Sequence, residues 1–212
     1  MNYLFPNSRI IVFTKPPIPG KCKTRLIPEL GEEGAAKLQE NLIHKIVKDL
    51  GIFKLCPFEI WQSEPTKYFS ELILNFDWNI DIHTQTGADL GARMSNAFKD
   101  SLKRSSKVLI IGSDCIEYSK TYLTSAIQSL NNHDVVLGPA YDGGYVLIGA
   151  TSHYPDIFEN ICWGTDKVLS ETVSKLRQYK ISFTQLNLLH DIDTPSDLEN
   201  LGEFVGKVLH KV

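Results

Sequence analysis

Short apolar runs alternate with helically spaced apolar residues along almost the whole sequence, and this alternation limits the fold more than any other feature. Seven runs are predicted to be β-strands: Arg9–Thr14, Phe58–Trp61, Ile80–His83, Lys107–Gly112, Val135–Gly138, Tyr145–Gly149 and Ile181–Leu188. Six segments are predicted to be helices: Glu32–Leu50, Thr66–Leu74, Leu90–Leu102, Lys120–Leu130, Thr165–Tyr179 and Thr194–Val205. This alternation predicts an α/β fold, a three-layer α/β/α sandwich with a mainly parallel, mixed sheet and ligands at the carboxyl ends of its strands.

Three predicted helix ends carry capping signals. Gly51 follows the apolar repeat of the first helix and is predicted to be its C-cap. Thr165 is predicted to be the N-cap of the fifth helix. Thr194, which is followed by Pro195 at the first helical position, is predicted to be the N-cap of the last. No linker or change of composition divides the chain, so residues 1–212 are expected to form one domain.

Charge and cysteine content argue against several classes of protein. The formal net charge is −3 with acidic and basic residues interspersed, which disfavours binding to nucleic acid or to a membrane surface. The four cysteines are widely separated, so neither a disulfide framework nor a zinc site is indicated. The N-terminus lacks the pattern of a secretory signal, and no run approaches the roughly 20 apolar residues of a membrane span. We therefore expect a cytoplasmic protein.

A basic loop follows the first predicted strand and is the first candidate site. Its sequence, KPPIPGKCKTRL, places four cations within eleven residues. Prolines such as Pro16 stiffen the loop, Gly20 permits close approach of the backbone, and Lys15, Lys23 and Arg25, with Thr24 between the last two, could converge on a nucleotide's phosphates. It is not a P-loop, because Cys22 stands where that motif requires serine or threonine. The alternative is a solvated basic loop.

Carboxylates follow two other predicted strands. Ser113 and Asp114 come directly after Lys107–Gly112, and Asp191 and Asp193 follow the last strand. Oxygen ligands at strand ends suit Mg²⁺ or Mn²⁺, which bridge to nucleotide phosphates. The alternative for each carboxylate is that it caps a following helix or turn.

Two further segments are predicted to be walls of the same site. In the loop Gly138–Tyr145 the candidate ligand contacts are Asp142, Gly143 and Gly144, although a tight hairpin turn explains them equally well. In the second wall, Gln85–Met94, the candidates are Gln85, Asp89 and Arg93, although Arg93 could instead pair with a neighbouring carboxylate. Trp163 could close over a base or sugar, and filling the core is the favoured alternative.

Six ordered motifs resemble the bacterial family called radical-SAM/selenodomain-associated transferase 1: KPPIPGKCKTRL, TGADLGARM, IGSDC, VVLGPAYDGGYVLIG, CWGTD and DIDTPSDL. The motifs are also similar to those of 2-phospho-lactate guanylyltransferase and of molybdenum-cofactor nucleotidylyltransferases. The resemblance implies a GT-A-like nucleotide-diphospho-sugar transferase fold. It further implies that Asp114 and Asp193 bind the metal and that the Lys15–Arg25 loop binds phosphates. Such families usually continue the metal motif as Asp-Cys-Pro, whereas Ile116 follows Asp114 and Cys115 here.

The sequence therefore predicts a Mg²⁺- or Mn²⁺-dependent transferase in which Asp114, Lys23 and Arg25 are catalytic. Its partners would be a nucleotide or nucleotide-sugar donor and a small-molecule acceptor. Glycosyl transfer from a nucleotide-diphospho-sugar ranks slightly ahead of nucleotidyl transfer from a triphosphate to a phosphorylated small molecule. A nucleotide-binding module without catalysis is the alternative from another class.

Overall fold

The computed structural model describes residues 2–200 and contains one seven-stranded sheet within them. Its strands, in chain order, are β1 (Ser8–Thr14), β2 (Phe58–Gln62), β3 (Asp81–Thr84), β4 (Lys107–Gly112), β5 (Val135–Pro139), β6 (Tyr145–Ala150) and β7 (Phe183–Gln185). Their order across the sheet is β3-β2-β1-β4-β6-β5-β7. Only β6 runs antiparallel to its neighbours, so the other six strands end at the same edge of the sheet.

Helices cover both faces of the sheet, as the alternating pattern predicts. They are α1 (Ile27–Phe53), α2 (Lys67–Ile73), α3 (Leu90–Ser101), α4 (Lys120–Ser129), α5 (Val168–Gln178) and α6 (Pro195–Asn200). Short 3-10 helices add Thr24–Leu26 and Pro155–Phe158. Among the residues that the structure describes, no helix combines the length and apolar character that crossing a membrane requires.

Two apolar cores lie on opposite faces of the sheet. Helices α1, α2 and α4 pack on one face, against strand residues such as Val12 and Ile111. Helices α3 and α5 pack on the other face, against the alternate residues Ile11 and Ile110. Because successive side chains of a strand point to opposite faces, the apolar central residues of β1 and β4 supply both cores. The predicted α/β/α sandwich with a mainly parallel, mixed sheet is therefore confirmed.

The predicted C-cap at Gly51 is wrong. Helix α1 continues to Phe53, and Lys54 at φ 51° caps it. At Gly51 an added Cβ would overlap the ring of Trp78, so the glycine serves close packing inside the helix. The helix also begins earlier than predicted, at Ile27, with a break at Gly31.

Two other predicted boundaries differ from the structure. Thr165 is not the N-cap of α5. Its Oγ1 donates to the carbonyl of Cys162 (2.7 Å) and accepts from the amide of Lys167 (3.3 Å), which forms a turn before the helix begins at Val168. The predicted strand Ile181–Leu188 is regular only over β7, although Leu186 and Leu189 still donate main-chain hydrogen bonds to the carbonyls of Leu137 and Pro139 (2.9 and 3.1 Å).

Thr194 directly precedes α6, as predicted. The cap is completed by Asp197, whose carboxylate accepts from the amides of Asp193 and Thr194 (3.0 and 2.6 Å). The part of the predicted helix Thr194–Val205 beyond Asn200 lies outside the described residues.

Candidate active site

A cleft of about 500 Å³ lies at the edge of the sheet where the parallel strands end. Its walls come from the loops that follow β1, β3, β4, β5 and β7 and from the turn before α5. It brings together ten of the predicted site residues: Lys15, Lys23, Gln85, Arg93, Ser113, Asp114, Asp142, Gly144, Trp163 and Asp193. Residues separated by up to about 180 positions therefore meet because parallel strands share one carboxyl edge.

A buried glutamine cross-links the floor of this cleft. The Nε2 group of Gln39 donates to Thr14 Oγ1 (3.2 Å), to the carbonyl of Lys15 (3.1 Å) and to Ser113 Oγ (3.3 Å). Ser113 Oγ also donates to Thr14 Oγ1 at 2.8 Å. These bonds fix the ends of β1 and β4 side by side, and with them the backbone that carries Lys15 and Asp114. Helix α1 thus positions two of the loops that the sequence analysis selected.

The Lys23 ammonium lies between the two predicted metal ligands. Its Nζ is 3.6 Å from Asp114 Oδ2 and 3.8 Å from Asp193 Oδ1, and it donates to the carbonyl of Ile192 at 2.5 Å. The Lys23 side chain is only 5% exposed, whereas the two carboxylates are 37% and 38% exposed. Arg25 at the rim bonds Asp193 at 2.8 Å. The basic loop and the acidic strand ends therefore form one connected set of charges.

The carboxylate of Asp191 also lies in the cleft, and no cation of the described residues is within salt-bridge distance of it. Burial and the charges of Asp114 and Asp142 raise the pKa of Asp191 to about 6, although Lys23 opposes the shift. Each effect disfavours the ionised form, the first by removing water and the second by repulsion between like charges. This corner of the cleft thus holds more negative charge than the protein's own cations neutralise.

The two remaining walls are held by main-chain contacts. In the loop after β5, Asp142 Oδ1 accepts from the amide of Gly144 (2.8 Å), and the carbonyl of Gly143 accepts from the amide of Leu169 (2.9 Å). Opposite, the Trp163 ring packs on Gly91 at the start of α3, where an added Cβ would lie 2.6 Å from the ring. Trp163 both packs against the protein and lines the cleft, so its two predicted roles coexist.

Six predicted residues do not line the cleft in the described structure: Pro16, Gly20, Thr24, Arg25, Asp89 and Gly143. Asp89 is the N-cap of α3 and accepts from the amide of Ala92 at 2.7 Å. Gly20 forms a turn at φ 74° that faces Glu32, and Arg25 contacts the site only through Asp193.

Sequence reasoning missed Gln39, Thr14, Ser63 and Tyr145, which all line the cleft. Thr14 and Ser63 directly end or follow strands, so their positions were a usable signal. Gln39 gave none, because it interrupts the apolar face of a helix as polar residues often do.

Among the described residues there is one group of three potential metal ligands whose ligand atoms all lie within 4.8 Å of one another. It consists of Glu59, Asp81 and His83. It lies within β2 and β3 and not at the predicted Asp114 and Asp193. Glu59 Oε1 already accepts from Arg9 (2.7 Å) and Arg104 (2.6 Å), and its Oε2 from the Trp61 indole (3.0 Å). Its oxygens are committed to cationic and neutral donors, which argues for a structural role.

The fold of this chain, with its cleft at the carboxyl edge of the sheet, is that of the nucleotide-diphospho-sugar transferases. A protein from Desulfovibrio desulfuricans G20, described as a "putative nucleotide-diphospho-sugar transferase", matches 98% of this chain and 95% of its own with a TM-score of 0.83 and 29% identity. The inositol-1-phosphate CTP transferase from T. maritima matches with a TM-score of 0.59 and 16% identity, over 96% of each chain. A nucleotidyl transferase from Methanothermobacter thermautotroptrophicus matches with a TM-score of 0.65 and 14% identity, over 97% of this chain and 99% of that one. The last two matches show a shared fold.

The chain belongs to the family DUF2064, described as "Uncharacterized protein conserved in bacteria", which matches residues 60–165, half of the sequence. No curated protein matches the sequence. The predicted superfamily is therefore supported, whereas membership of the narrower radical-SAM/selenodomain-associated family stays a prediction.

Proposed function

We propose that this protein is a metal-dependent transferase that acts on a nucleotide-activated donor, with residues 1–212 as one functional unit. The observation that carries the proposal is the convergence of Lys23, Asp114 and Asp193 at the carboxyl edge of the sheet. Sheets of this kind bind ligands at that edge. Three solved structures of the same fold are named as transferases.

The charge of the cleft supports a divalent cation. Four carboxylates and three cations of the described residues line it: Asp114, Asp142, Asp191 and Asp193 against Lys15, Lys23 and Arg93. An excess of carboxylates repels a polyphosphate, so the cleft needs added positive charge before it binds one. The donor set consists of oxygens, as Mg²⁺ and Mn²⁺ prefer. Asp114 and Asp193 would hold the cation, which would supply electrostatic stabilisation of the phosphate charge.

The protein's own cations would bind and orient the donor. Lys15 and Arg93 line the cleft, and no carboxylate of residues 2–198 lies within 4.0 Å of either cationic group. They are therefore free to bind phosphate oxygens by charge-assisted hydrogen bonds. Lys23, which is buried beside the carboxylates, would add a fixed positive charge, and Arg25 would hold Asp193 in place. Catalysis in this scheme is mainly electrostatic.

Glycosyl transfer from a nucleotide-diphospho-sugar is the first candidate reaction, and the likeness to the protein from Desulfovibrio desulfuricans G20 favours it. An acceptor hydroxyl oxygen would form a bond to the anomeric carbon while the bond from that carbon to the diphosphate oxygen breaks. The electron pair leaves with the nucleoside diphosphate, and the hydroxyl proton is released to water.

Nucleotidyl transfer is the second candidate. Whole-length matches to a CTP transferase and to a nucleotidyl transferase of the same fold favour it. In this reaction an acceptor oxygen would attack the α-phosphorus of a nucleoside triphosphate, and pyrophosphate would leave.

A thermal-shift screen tests the proposal. Nucleoside triphosphates and nucleotide sugars are added with and without Mg²⁺ or Mn²⁺, since a ligand of the native state raises the melting temperature. We expect a shift that requires the metal. A preference for nucleotide sugars supports glycosyl transfer, and a preference for triphosphates supports nucleotidyl transfer. The proposal fails if no nucleotide produces a metal-dependent shift.

A further inference from the structure

The charges that line the cleft are divided between the two halves of the sheet. Every lining cation among the described residues comes from the chain that builds β1, β2 and β3: Lys15, Lys23 and Arg93. Every lining carboxylate comes from the loops after β4, β5 and β7: Asp114, Asp142, Asp191 and Asp193. Because these strand groups occupy opposite sides of the sheet, the cleft has a basic side and an acidic side.

Ion pairs connect the two sides at their border, whereas the carboxylates beyond the border have no cationic partner among the described residues. Lys23 and Arg25 reach across to Asp114 and Asp193 and neutralise part of their charge. Further into the acidic side, Asp142 and Asp191 have no cation within 4.0 Å among residues 2–200. With the proposed metal held at this border by Asp114 and Asp193, a donor's phosphates are attracted to the basic side and the border and are repelled from Asp142 and Asp191.

The acidic side is flanked in the chain by two aromatic residues outside the cleft lining, Tyr141 beside Asp142 and His190 beside Asp191. Tyr141 is 63% exposed and stacks on His190 with ring centroids 3.9 Å apart and an interplanar angle of 13°. His190 is held by Glu117, which accepts from its amide at 2.6 Å and lies 3.4 Å from its Nδ1. One face of the Tyr141 ring is covered by His190. Tyr141 itself does not line the cleft, but it lies between two residues that do, Ala140 and Asp142.

Carboxylates next to an exposed aromatic ring suit a particular class of ligand. Carboxylate oxygens accept hydrogen bonds from hydroxyl groups, and an aromatic face packs on the apolar face of a ring. The same carboxylates repel a phosphate group, and like charges brought together across an interface are strongly unfavourable.

We infer that the acceptor binds over the acidic side of the cleft, against Tyr141 and Asp142, and that it is an uncharged, hydroxyl-bearing ring compound without a phosphate group. This inference rests on the proposed function, because it assigns the basic side and the border at Asp114 and Asp193 to the donor and its metal. It also favours a hydroxyl nucleophile over the phosphate nucleophile of the second candidate reaction.

Matched pairs of neutral and phosphorylated compounds test the inference directly. Binding of glucose against glucose 1-phosphate, and of myo-inositol against inositol 1-phosphate, is measured by saturation-transfer NMR with and without Mg²⁺ and a nucleotide. We expect at least one neutral compound to bind about tenfold more tightly than its phosphate. Tighter binding of the phosphorylated member to the acidic side overturns the inference, as does failure of both neutral compounds to bind.

Variants locate the binding on the acidic side. We expect Asp142→Asn to lower the ratio of neutral-compound affinity to phosphorylated-compound affinity about threefold or more. The control Glu64→Gln changes a carboxylate outside the cleft and should leave this ratio unchanged. Tyr141→Ala should weaken binding of the neutral ring about tenfold, and the control Tyr179→Ala, an exposed tyrosine at the end of α5, should not. Equal effects of Tyr141→Ala and Tyr179→Ala overturn the assignment of the surface.

The two proposals fail in different ways. If nucleotides show no metal-dependent shift but neutral rings still bind beside Tyr141, the proposed function is wrong and the acceptor surface stands. If nucleotides bind with metal but phosphorylated compounds are preferred, the donor site stands and the inference about the acceptor is wrong.

Discussion

Two sets of charged residues differ in how completely their charges are paired. Around Glu59, which is fully buried, each carboxylate oxygen has at least two donors: Arg9 and Arg104 on one, Trp61 and Ser101 on the other. In the cleft, by contrast, Asp142 and Asp191 have no cation within 4.0 Å among the described residues. A buried ion that is fully hydrogen-bonded stabilises one arrangement of the chain, whereas unpaired charges beside a cleft are available to a ligand.

This difference explains why close spacing of potential ligands is a poor guide to function here. The group formed by Glu59, Asp81 and His83 is the tighter one, yet its central carboxylate is already occupied by protein donors. The pKa of Glu59 reflects the same occupation. Burial raises it, but hydrogen bonds from Trp61 and Arg104 and the charges of Arg9 and Arg104 outweigh burial and hold it below the usual 4.5.

The largest expected effect comes from breaking the paired set. Glu59→Gln leaves Arg9 and Arg104 without their buried counter-charge, and we expect it to lower the free energy of unfolding by about 3 kcal/mol, measured by urea denaturation. The control Asp81→Asn, on the neighbouring exposed position of β3, should change it by no more than about 0.5 kcal/mol.

The pH dependence of stability provides a second check on Glu59. Because its pKa is lowered on folding, its ionised form stabilises the native state above about pH 4.5, and this contribution is lost as the pH falls through the folded-state pKa. Glu59→Gln should therefore flatten the acid limb of the stability curve. An unchanged limb together with native-like stability would mean that this set is not structural.

The second effect concerns the carboxylates of the cleft. Asp114→Asn removes a carboxylate that we assign to the metal, and we expect metal-dependent nucleotide binding and any turnover to fall about 100-fold. The melting temperature without ligands should change little, since the buried Lys23 keeps Asp193 and the carbonyl of Ile192 as partners. The exposed Asp156→Asn, outside the cleft, is the matched control. Native-like metal dependence in Asp114→Asn would remove Asp114 from the site.

A smaller effect of opposite sign is expected at Asp191. Burial and like charges raise the pKa of Asp191 from the usual 3.8 to about 6. The protonated carboxyl therefore contributes stability below about pH 3.8, and this contribution is lost as the pH rises through about 6. Asp191→Asn cannot ionise and should be about 1 kcal/mol more stable than the native chain at pH 7, with a flatter curve between pH 4 and 6. Urea denaturation across this range measures both, and a destabilised variant at pH 7 contradicts the prediction.

The sequence predicted the sheet and the strand ends well, because apolar runs such as Lys107–Gly112 leave few alternatives to a buried strand. Predictions based on single residues were weaker. Gly51 lies inside a helix since the Trp78 ring needs its space, and Asp89 is a cap although its loop suggested a ligand contact. Both outcomes depend on neighbours distant in the chain or on local geometry, which residue type alone does not encode.

The predicted charges could be located but not paired from sequence. Lys23 and Asp193 are separated by 170 positions, and nothing local indicates that they lie 3.8 Å apart. Gln39 was missed for the same reason, because its partners are the ends of two strands. Long-range pairing is also what separates the set around Glu59 from the set in the cleft.

The smallest expected effect concerns Lys23, at the border between the basic and acidic sides of the cleft. It tests whether this protein cation competes with a bound metal for the border carboxylates. The Lys23 ammonium lies within 3.8 Å of both Asp114 and Asp193, where it carries charge of the same sign as the proposed metal. Lys23→Met keeps the buried aliphatic stem but removes the charge. We expect it to bind Mn²⁺ about fivefold more tightly without nucleotide, measured by EPR titration, because the cation no longer meets a like charge. Nucleotide binding should weaken in the same variant.

Lys21→Met is the matched control, since that lysine is two positions away, 61% exposed and paired only with Glu64 at 3.5 Å among the described residues. It should leave Mn²⁺ affinity unchanged, because a solvent-exposed charge is screened from the cleft. Weaker Mn²⁺ binding by Lys23→Met would show that Lys23 supports the metal ligands by positioning them and does not compete with the metal. The border would then belong with the set around Glu59, whose charges are structural.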